Sequence, residues 1–231
     1  VASLVHQIRT PLSAAMLYAA NLSNNKLKNE QKSNFVNKLS SRLNDLESQV
    51  NDMLMFAKSG ENQVLEQVSL QQLLSDVHQS ADVMVQQAGI MTVNLPEPDI
   101  LLLANKTSLA SAITNLVHNA VQVVGKGVRI HLQAERVQSN PNQVCISVED
   151  NGPGIKQDVL DKIFEPFYTT RSQGTGLGLS VVKTVAQAHQ GNVEVTNKSS
   201  GGAVFSIYLP IKLAPHNDVQ TLEIPPQEIS A

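Results

Sequence analysis

Two glycine-rich stretches lie at points where a backbone can bind a polar ligand. Asp150–Gly154 comes directly after an apolar strand, and Gly174–Gly178 opens a helix. Glycine lets the backbone approach a ligand closely or take a positive φ. A helix that begins behind glycines exposes its free N–H groups to an anion. Taken alone, Asp150–Gly154 is better explained as an ordinary turn and Gly174–Gly178 is a similarly weak signal, so both indicate a binding site only together with other residues.

Asn115 and Asn119 lie four residues apart on a predicted helix, so their amides point the same way. An amide oxygen is a reasonable ligand for Mg²⁺ that phosphates and water otherwise hold. Asp150, at the end of its strand, could accept a hydrogen bond from an adenine amino group. For two asparagines alone, a solvent-facing polar stripe is the better interpretation.

The stretch at Gly174–Gly178 differs from two common phosphate-binding turns. Thr169–Gln173 is polar and loop-like, so no strand leads into the turn and a Rossmann turn is excluded. No Gly-Lys-Ser/Thr follows, which excludes a Walker loop.

The first part of the chain predicts a helical hairpin. Apolar residues alternate spacings of four and three on both sides of a polar turn at Ser23–Lys32. One hairpin cannot bury both apolar seams, so we expect a homodimer with a four-helix bundle. The alternative is that the hairpin packs on the rest of its own chain. The seams contain Val1, Val5, Ile8, Leu12, Ala15, Ala19 and Leu22, and then Val36, Leu39, Leu43, Leu46, Val50, Met53 and Ala57.

The rest of the chain predicts an α+β fold, an α/β sandwich with a helix layer on a mostly antiparallel sheet. We expect a dimerisation and phosphotransfer domain at residues 1–60, a linker at 61–68, the sandwich at 69–212 and a flexible tail at 213–231. Helices are predicted at Leu70–Gln87, Lys106–Val124 and Leu177–His189, and strands at Met91–Leu95, Ile100–Leu103, Val128–Val137, Val144–Glu149, Asn192–Thr196 and Ala203–Leu209.

Composition excludes several classes of partner. The 231 residues carry a net charge of −3 with scattered basic residues, which argues against nucleic acid or an anionic membrane as the main partner. No window approaches ~18 uninterrupted apolar residues, and no leader is found, so no membrane segment is expected. Cys145 is the only cysteine, which favours a reducing, cytoplasmic compartment. The uncapped start at Val1 suggests a fragment of a longer protein.

The order of the motifs resembles the ATP-binding domain shared by histidine kinases, type II topoisomerases, Hsp90-type chaperones and mismatch-repair ATPases. An Asn-x-x-x-Asn helix, Asp-x-Gly-x-Gly, Phe164–Phe167 and Gly-Thr-Gly-Leu-Gly-Leu match the N, G1, F and G2 boxes. The resemblance covers about Ser69 to Ile211 and implies that ATP and Mg²⁺ are the cofactors.

The resemblance also implies roles for single residues. Asn119 would hold Mg²⁺, Asp150 would bind adenine, and Arg171 would contact the γ-phosphate from a mobile lid that Phe167 anchors. Hydrolytic relatives carry Glu at the position of Asn115, and because Asn cannot act as a base, ATP is kept for another acceptor. The other residues expected to line the nucleotide are Gly152, Gly154, Ile155, Gly174, Thr175, Gly176, Leu177, Gly178 and Leu179.

The run Leu4–Leu12 resembles the H-box of the commonest histidine kinase class. The resemblance implies that neutral His6 attacks the γ-phosphate with an imidazole nitrogen and passes phosphate to an aspartate of a response regulator. Thr10 matches the position that orients water for dephosphorylating that aspartate. The heptad register independently places His6 and Thr10 on the outer face of the hairpin. Pro11 leaves a carbonyl without its helical partner, so the helix should bend beside His6.

The exact H-box run resembles that of sensor kinases that control polar flagellar genes through a σ54-dependent regulator. Two other functions stay open. One is a dimeric ATP-binding regulator that acts mainly as a phosphatase or scaffold, which Gln7 supports. The other is an ATP-hydrolysing clamp related to topoisomerases or chaperones, which Asn115 disfavours.

Gln7 stands where the family usually has an acid that accepts the second imidazole proton. An amide oxygen can orient the His6 ring but cannot act as a base, and losing general-base help typically costs ~10²–10⁴-fold. We therefore expect Gln7→Glu to raise the rate of label incorporation from γ-labelled ATP. An unchanged or lower rate in this variant would contradict this role of Gln7.

Overall fold

The computed structural model describes residues 2–22, 27–58, 64–171 and 175–211. Helices α1 (Ala2–Leu22) and α2 (Asn29–Lys58) pack side by side as a hairpin. The rings of Tyr18 in α1 and Phe35 in α2 meet with centroids 6.0 Å apart. Pro11 lies inside α1, and none of the helices described is long and apolar enough to cross a membrane. Residues 23–26 of the predicted turn lie outside the described residues.

Several predicted seam residues of the hairpin are not covered by the rest of the chain. Ala15 is buried, but Leu12 is 42% exposed and Leu43 is 48% exposed. Val36 and Val50 are exposed as well. Packing on the same chain, the alternative that the sequence left open, therefore does not bury these positions.

The remainder is an α+β sandwich, as predicted. Its elements are β1 (Glu66–Ser69), α3 (Leu70–Gln86), β2 (Gly89–Asn94), β3 (Leu101–Ala104), α4 (Lys106–Val124), β4 (Val128–Val137), β5 (Asn140–Glu149), α5 (Gly178–Ala188), β6 (Asn192–Asn197) and β7 (Ala203–Pro210). The main sheet has the strand order β2-β4-β5-β7-β6, in which β2 and β4 are parallel and all other neighbours are antiparallel. A separate two-stranded sheet pairs β1 with β3.

Helices α3, α4 and α5 cover one face of this sheet, because each has an apolar side that the core buries. Polar side chains cap the N-termini of two of these helices, α3 and α4. The Ser69 hydroxyl accepts the N–H of Gln72, and the Asn105 side-chain oxygen accepts the N–H of Ser108. The fully buried side chains that hold the layers together include Leu73, Leu74, Leu109, Ile113, Leu116, Leu132, Ile146 and Ile207.

The structure differs from the sequence predictions at several bounds. Helix α2 begins at Asn29, inside the predicted turn, and β5 begins at Asn140, four residues before its predicted start. Glu66–Ser69 was expected to lie mostly in a linker but forms β1, because Val68 enters the core with 3% of its surface exposed. The linker positions 61–63 and the tail at 213–231 lie outside the described residues. Strand β2 runs parallel to β4, since β3 and helix α4 carry the chain back to the same end of the sheet.

Candidate nucleotide-binding site

Helices α4 and α5 meet at the two predicted asparagines. A Cβ placed on Gly178, the first residue of α5, would lie 3.8 Å from Asn119 Nδ2 and 4.0 Å from Asn115 Cγ. Both amides therefore flank a helix N-terminus, where the helix dipole favours an anion. Gly178 itself places no side chain between the two amides and the start of α5.

Asp150 is buried at the end of β5, with 7% of its surface exposed. Its Oδ1 accepts the backbone N–H of Gly152 at 2.7 Å and that of Ala203 at 3.3 Å. Within the described part of the chain, Oδ2 has no hydrogen-bond partner. A Cβ on Gly152 would lie 3.0 Å from Val124 Cγ2, so this turn sits at the end of α4. The carboxylate thus presents one fixed acceptor oxygen next to that helix.

Two asparagines that sequence reasoning missed hold the turn after Asp150. The side-chain oxygen of Asn151 accepts the N–H of Arg129 at 2.7 Å, and its amide donates to the carbonyl of Gly127 at 3.1 Å. Asn197, at the end of β6, accepts the N–H of Ile155 and donates to the carbonyl of the same residue. Gly154, with φ +75°, approaches Asn197 so closely that a Cβ would lie 2.8 Å from its Oδ1.

The second glycine turn, around Gly176, is held against the F-box segment Phe164–Phe167 by a backbone hydrogen bond. The N–H of Phe167 donates to the carbonyl of Gly176 at 2.9 Å. Gly176 has φ +67°, and a Cβ there would lie 2.4 Å from the carbonyl carbon of Phe167. The Thr175 hydroxyl accepts the N–H of Leu177, whose side chain is fully buried. Gly174 lies outside the described residues.

The Phe164 ring packs the F-box segment Phe164–Phe167 against the core. The Phe164 ring meets Phe205 edge to face, with centroids 6.4 Å apart and an interplanar angle of 87°. Phe167 takes a positive φ of 67° and remains 40% exposed, and its backbone contacts the second glycine turn at Gly176. Ile155 and Leu179 lie partly buried against the core beside the two glycine turns.

Arg171 lies on the exposed side of α4, next to the predicted magnesium ligand. Its guanidinium donates to the side-chain oxygen of Gln122 and, at 3.3 Å, to the backbone carbonyl of Asn119. Burial lowers the pKa of Arg171 below its usual range, because the charged form loses solvent. Gln122 is a further residue that sequence reasoning missed; its spacing of three from Asn119 was the available signal.

His6, Gln7 and Thr10 lie in the helical backbone of α1, as predicted, but their side chains lie outside the described residues. The described side chains contain no group of three or more His, Cys, Asp or Glu placed to hold a metal ion. A magnesium ion at Asn119 would therefore depend on the nucleotide phosphates for its other ligands.

Two family models match the chain. Residues 1–62 match the His Kinase A (phospho-acceptor) domain, and residues 104–213 match the histidine kinase-, DNA gyrase B- and HSP90-like ATPase. Together they cover both the hairpin and most of the α+β sandwich.

Curated relatives extend this match over nearly the whole chain. The sensor protein kinase FleS of Pseudomonas aeruginosa is 41% identical over 223 residues, which is 95% of this chain and 54% of that protein. The sensor histidine kinase CpxA of Escherichia coli is 30% identical over 220 residues, 91% of this chain and 46% of CpxA. The chain therefore spans about half the length of these relatives.

Solved structures of similar fold include histidine kinases. The kinase ThkA in complex with the response regulator protein TrrA has a TM-score of 0.70 at 25% identity, covering 91% of this chain and 60% of that one. Full-length ShkA in complex with AMPPNP has a TM-score of 0.64 at 31% identity, covering 92% of this chain and 46% of that one.

The backbone contact between Gly176 and Phe167 predicts that a substitution at Gly176 weakens nucleotide binding through the turn and not through a general loss of stability. Gly176→Ala places a Cβ against the Phe167 backbone, so the turn must move. We expect affinity for a non-hydrolysable ATP analogue to fall by about tenfold or more, equivalent to ~1.4 kcal/mol. Isothermal titration calorimetry at a temperature where the protein is folded measures the change.

The matched control is Gly125→Ala. Gly125 has a similar φ of +69°, but no atom lies within 4 Å of the place that a Cβ would take there. Both variants place alanine at a positive φ, which L residues rarely adopt, and so both carry a backbone cost, while only Gly176→Ala should lose affinity. Equal affinity in the two variants would contradict the role of the Gly176 turn.

Proposed function

The chain belongs to the histidine kinase family, and from this premise we propose that it is a catalytic core that transfers the γ-phosphoryl group of ATP to His6. The observation that carries the proposal is the position of Asn115. Its amide lies at the start of α5, where the phosphate would bind, and its Cγ is 4.0 Å from the place of a Cβ added to Gly178. Because an amide cannot deprotonate water, the site favours phosphoryl transfer over hydrolysis.

The nucleotide would be bound by three groups of distinct chemistry. Oδ2 of Asp150 would accept the adenine amino group, since Oδ1 is already used by two backbone N–H groups. The side-chain oxygen of Asn119 would hold Mg²⁺, which neutralises phosphate charge when bound. Arg171 would contact the γ-phosphate.

Transfer to His6 needs a neutral imidazole with one nitrogen lone pair free. That nitrogen attacks the γ-phosphorus, the bond to the β-phosphate oxygen breaks, and ADP leaves with the bond's electron pair. The other ring nitrogen carries the proton, and Gln7, one residue further along α1, can orient it without removing it. Pro11 lies one helical turn after Gln7 and removes a backbone hydrogen bond there.

A homodimer would cover the apolar seam of the hairpin. Leu12 and Leu43 are each nearly half exposed, and Val36 and Val50 are exposed on the same hairpin. Burial of such side chains in a four-helix bundle stabilises by roughly 25 cal/mol per Å² of apolar surface. The match of residues 1–62 to the phospho-acceptor domain supports the same arrangement.

The phosphate would pass from His6 to an aspartate on a response regulator in the cytoplasm. ThkA, with a similar fold, has a solved complex with a response regulator, and FleS is named a sensor kinase. The H-box resemblance further suggests a regulator of σ54-dependent flagellar genes.

A second function, mainly as a phosphatase or scaffold, is favoured by one feature of α1. Gln7 replaces the acid that assists the imidazole, while Thr10, the residue that would orient water, is retained. This function would still require ATP binding and the dimeric hairpin. It differs from the kinase in its main reaction, because Thr10 would orient water to dephosphorylate the regulator's aspartate while His6 accepted phosphate slowly.

If His6 is the phosphate acceptor, its replacement should abolish the acid-labile label that the chain takes from γ-labelled ATP. Wild-type chain incubated with γ-labelled ATP should acquire acid-labile label, and His6→Ala should acquire none, because a phosphohistidine bond no longer forms. The control is His78→Ala on α3, which should keep wild-type labelling.

Two results would contradict the kinase proposal. Label retained in His6→Ala would place the acceptor elsewhere. Steady phosphate release, undiminished by the same substitution, would indicate an ATP-hydrolysing clamp instead.

A further inference from the structure

Among the described residues, the two acceptors of the Arg171 guanidinium are both uncharged. One is the side-chain oxygen of Gln122, and the other is the peptide oxygen of Asn119, 3.3 Å away. A carboxylate at either place would form an ion pair and cancel most of the guanidinium charge. An amide and a peptide oxygen fix the position of the group but leave its charge available to a ligand.

The position of these acceptors puts the charge where the phosphates are expected. Asn119 and Gln122 are three residues apart on α4, so their side chains lie on one face of the helix. The same face carries Asn115 and meets the start of α5 at Gly178. Arg171 is 49 residues from Gln122 in sequence and reaches this face only through the fold.

Partial burial is a second reason why a bound anion would stabilise the charge of the Arg171 guanidinium. Desolvation lowers the pKa of Arg171, which means that the cation is less favourable here than in water. A phosphate oxygen that replaces lost water would stabilise the cation, and guanidinium matches phosphate by paired N–H donors.

Arg171 and His118 hold the two ends of the Gln122 amide. The guanidinium of Arg171 has only donors, so the amide oxygen of Gln122 must face it. The amide nitrogen then faces His118, and the Nε2 atoms of His118 and Gln122 lie 2.8 Å apart. Because the amide nitrogen is a donor, this ring nitrogen of His118 accepts, and the contact supports the same amide orientation.

We propose that Gln122 is a positioning residue for phosphoryl transfer, which holds Arg171 on the side of α4 that carries Asn119 without neutralising its charge, and that His118 supports the other end of the Gln122 amide. The inference rests on the proposed function, because it assigns Arg171 to the γ-phosphate. It adds a specific reason for an amide at this position: a shorter or apolar side chain releases the guanidinium, and a carboxylate captures its charge.

The test compares Gln122→Met and Gln122→Glu with wild type. Misplacement of a catalytic contact by about 1 Å can cost ~10²-fold, so we expect kcat for autophosphorylation to fall roughly 10–10²-fold in both variants. Affinity for ADP, which has no γ-phosphate, should stay at the wild-type value. Gln86→Met on α3, an exposed glutamine bonded to Asp82, is the control and should change neither quantity.

A double-mutant cycle with Arg171→Met decides whether Gln122 acts through the arginine. We expect Gln122→Met to have no further effect on kcat in the Arg171→Met background, because the group that it positions is gone. The same loss in both backgrounds would overturn the inference. A parallel fall in ADP affinity would also overturn it, since that result indicates damage to α4.

Equilibrium binding keeps this inference separate from the kinase proposal. The wild-type chain should bind AMPPNP more tightly than ADP, and Gln122→Met should narrow that ratio whether or not label is transferred to His6. A wild-type chain that takes no label refutes the kinase proposal alone. An unchanged AMPPNP-to-ADP ratio in Gln122→Met overturns the positioning role of Gln122.

Discussion

The nucleotide site depends on one carboxylate oxygen that accepts two backbone N–H groups. Oδ1 of Asp150 binds the amides of Gly152 and Ala203, and so joins the turn after β5 to the start of β7. Hydrogen bonds to a charged group contribute ~1.5–3 kcal/mol each, and a buried carboxylate without them would be strongly destabilising. These two hydrogen bonds fix the turn beside the end of α4, and they leave Oδ2 of Asp150 available as a hydrogen-bond acceptor.

Sequence patterns predicted the elements better than the contacts between them. Helix α4 and strand β4 have the predicted bounds, because a continuous period of burial runs along each of them. Strand β1 was missed, since four residues are too few to show a period and only Val68 is buried. The roles of Asn197 and Gln122 could not be predicted either, because their partners lie 42 and 49 residues away.

Amides stand at three positions where a charged or basic side chain would change the chemistry. In the proposed function, Asn115 would protect ATP from water, Gln122 would hold Arg171 without cancelling its charge, and Gln7 would orient the acceptor ring without taking its proton. An amide can donate and accept but cannot transfer a proton at neutral pH. The amides at Asn115 and Gln122 would favour transfer to a histidine, whereas the amide at Gln7 would limit its rate. The proposed function therefore combines a competent nucleotide site with a weakly activated acceptor.

The most direct test of the nucleotide site is the base preference of Asp150→Asn, measured by calorimetry with ADP and GDP. Because the two backbone N–H groups select an oxygen, the new amide must place its NH₂ where Oδ2 was. That donor opposes the amino group of adenine but suits the carbonyl of guanine. Wild type should prefer ADP, and the variant should lose about tenfold or more in ADP affinity while its preference shifts toward GDP. An ADP-to-GDP ratio that is the same in both proteins would contradict the assignment of Asp150 as the adenine acceptor.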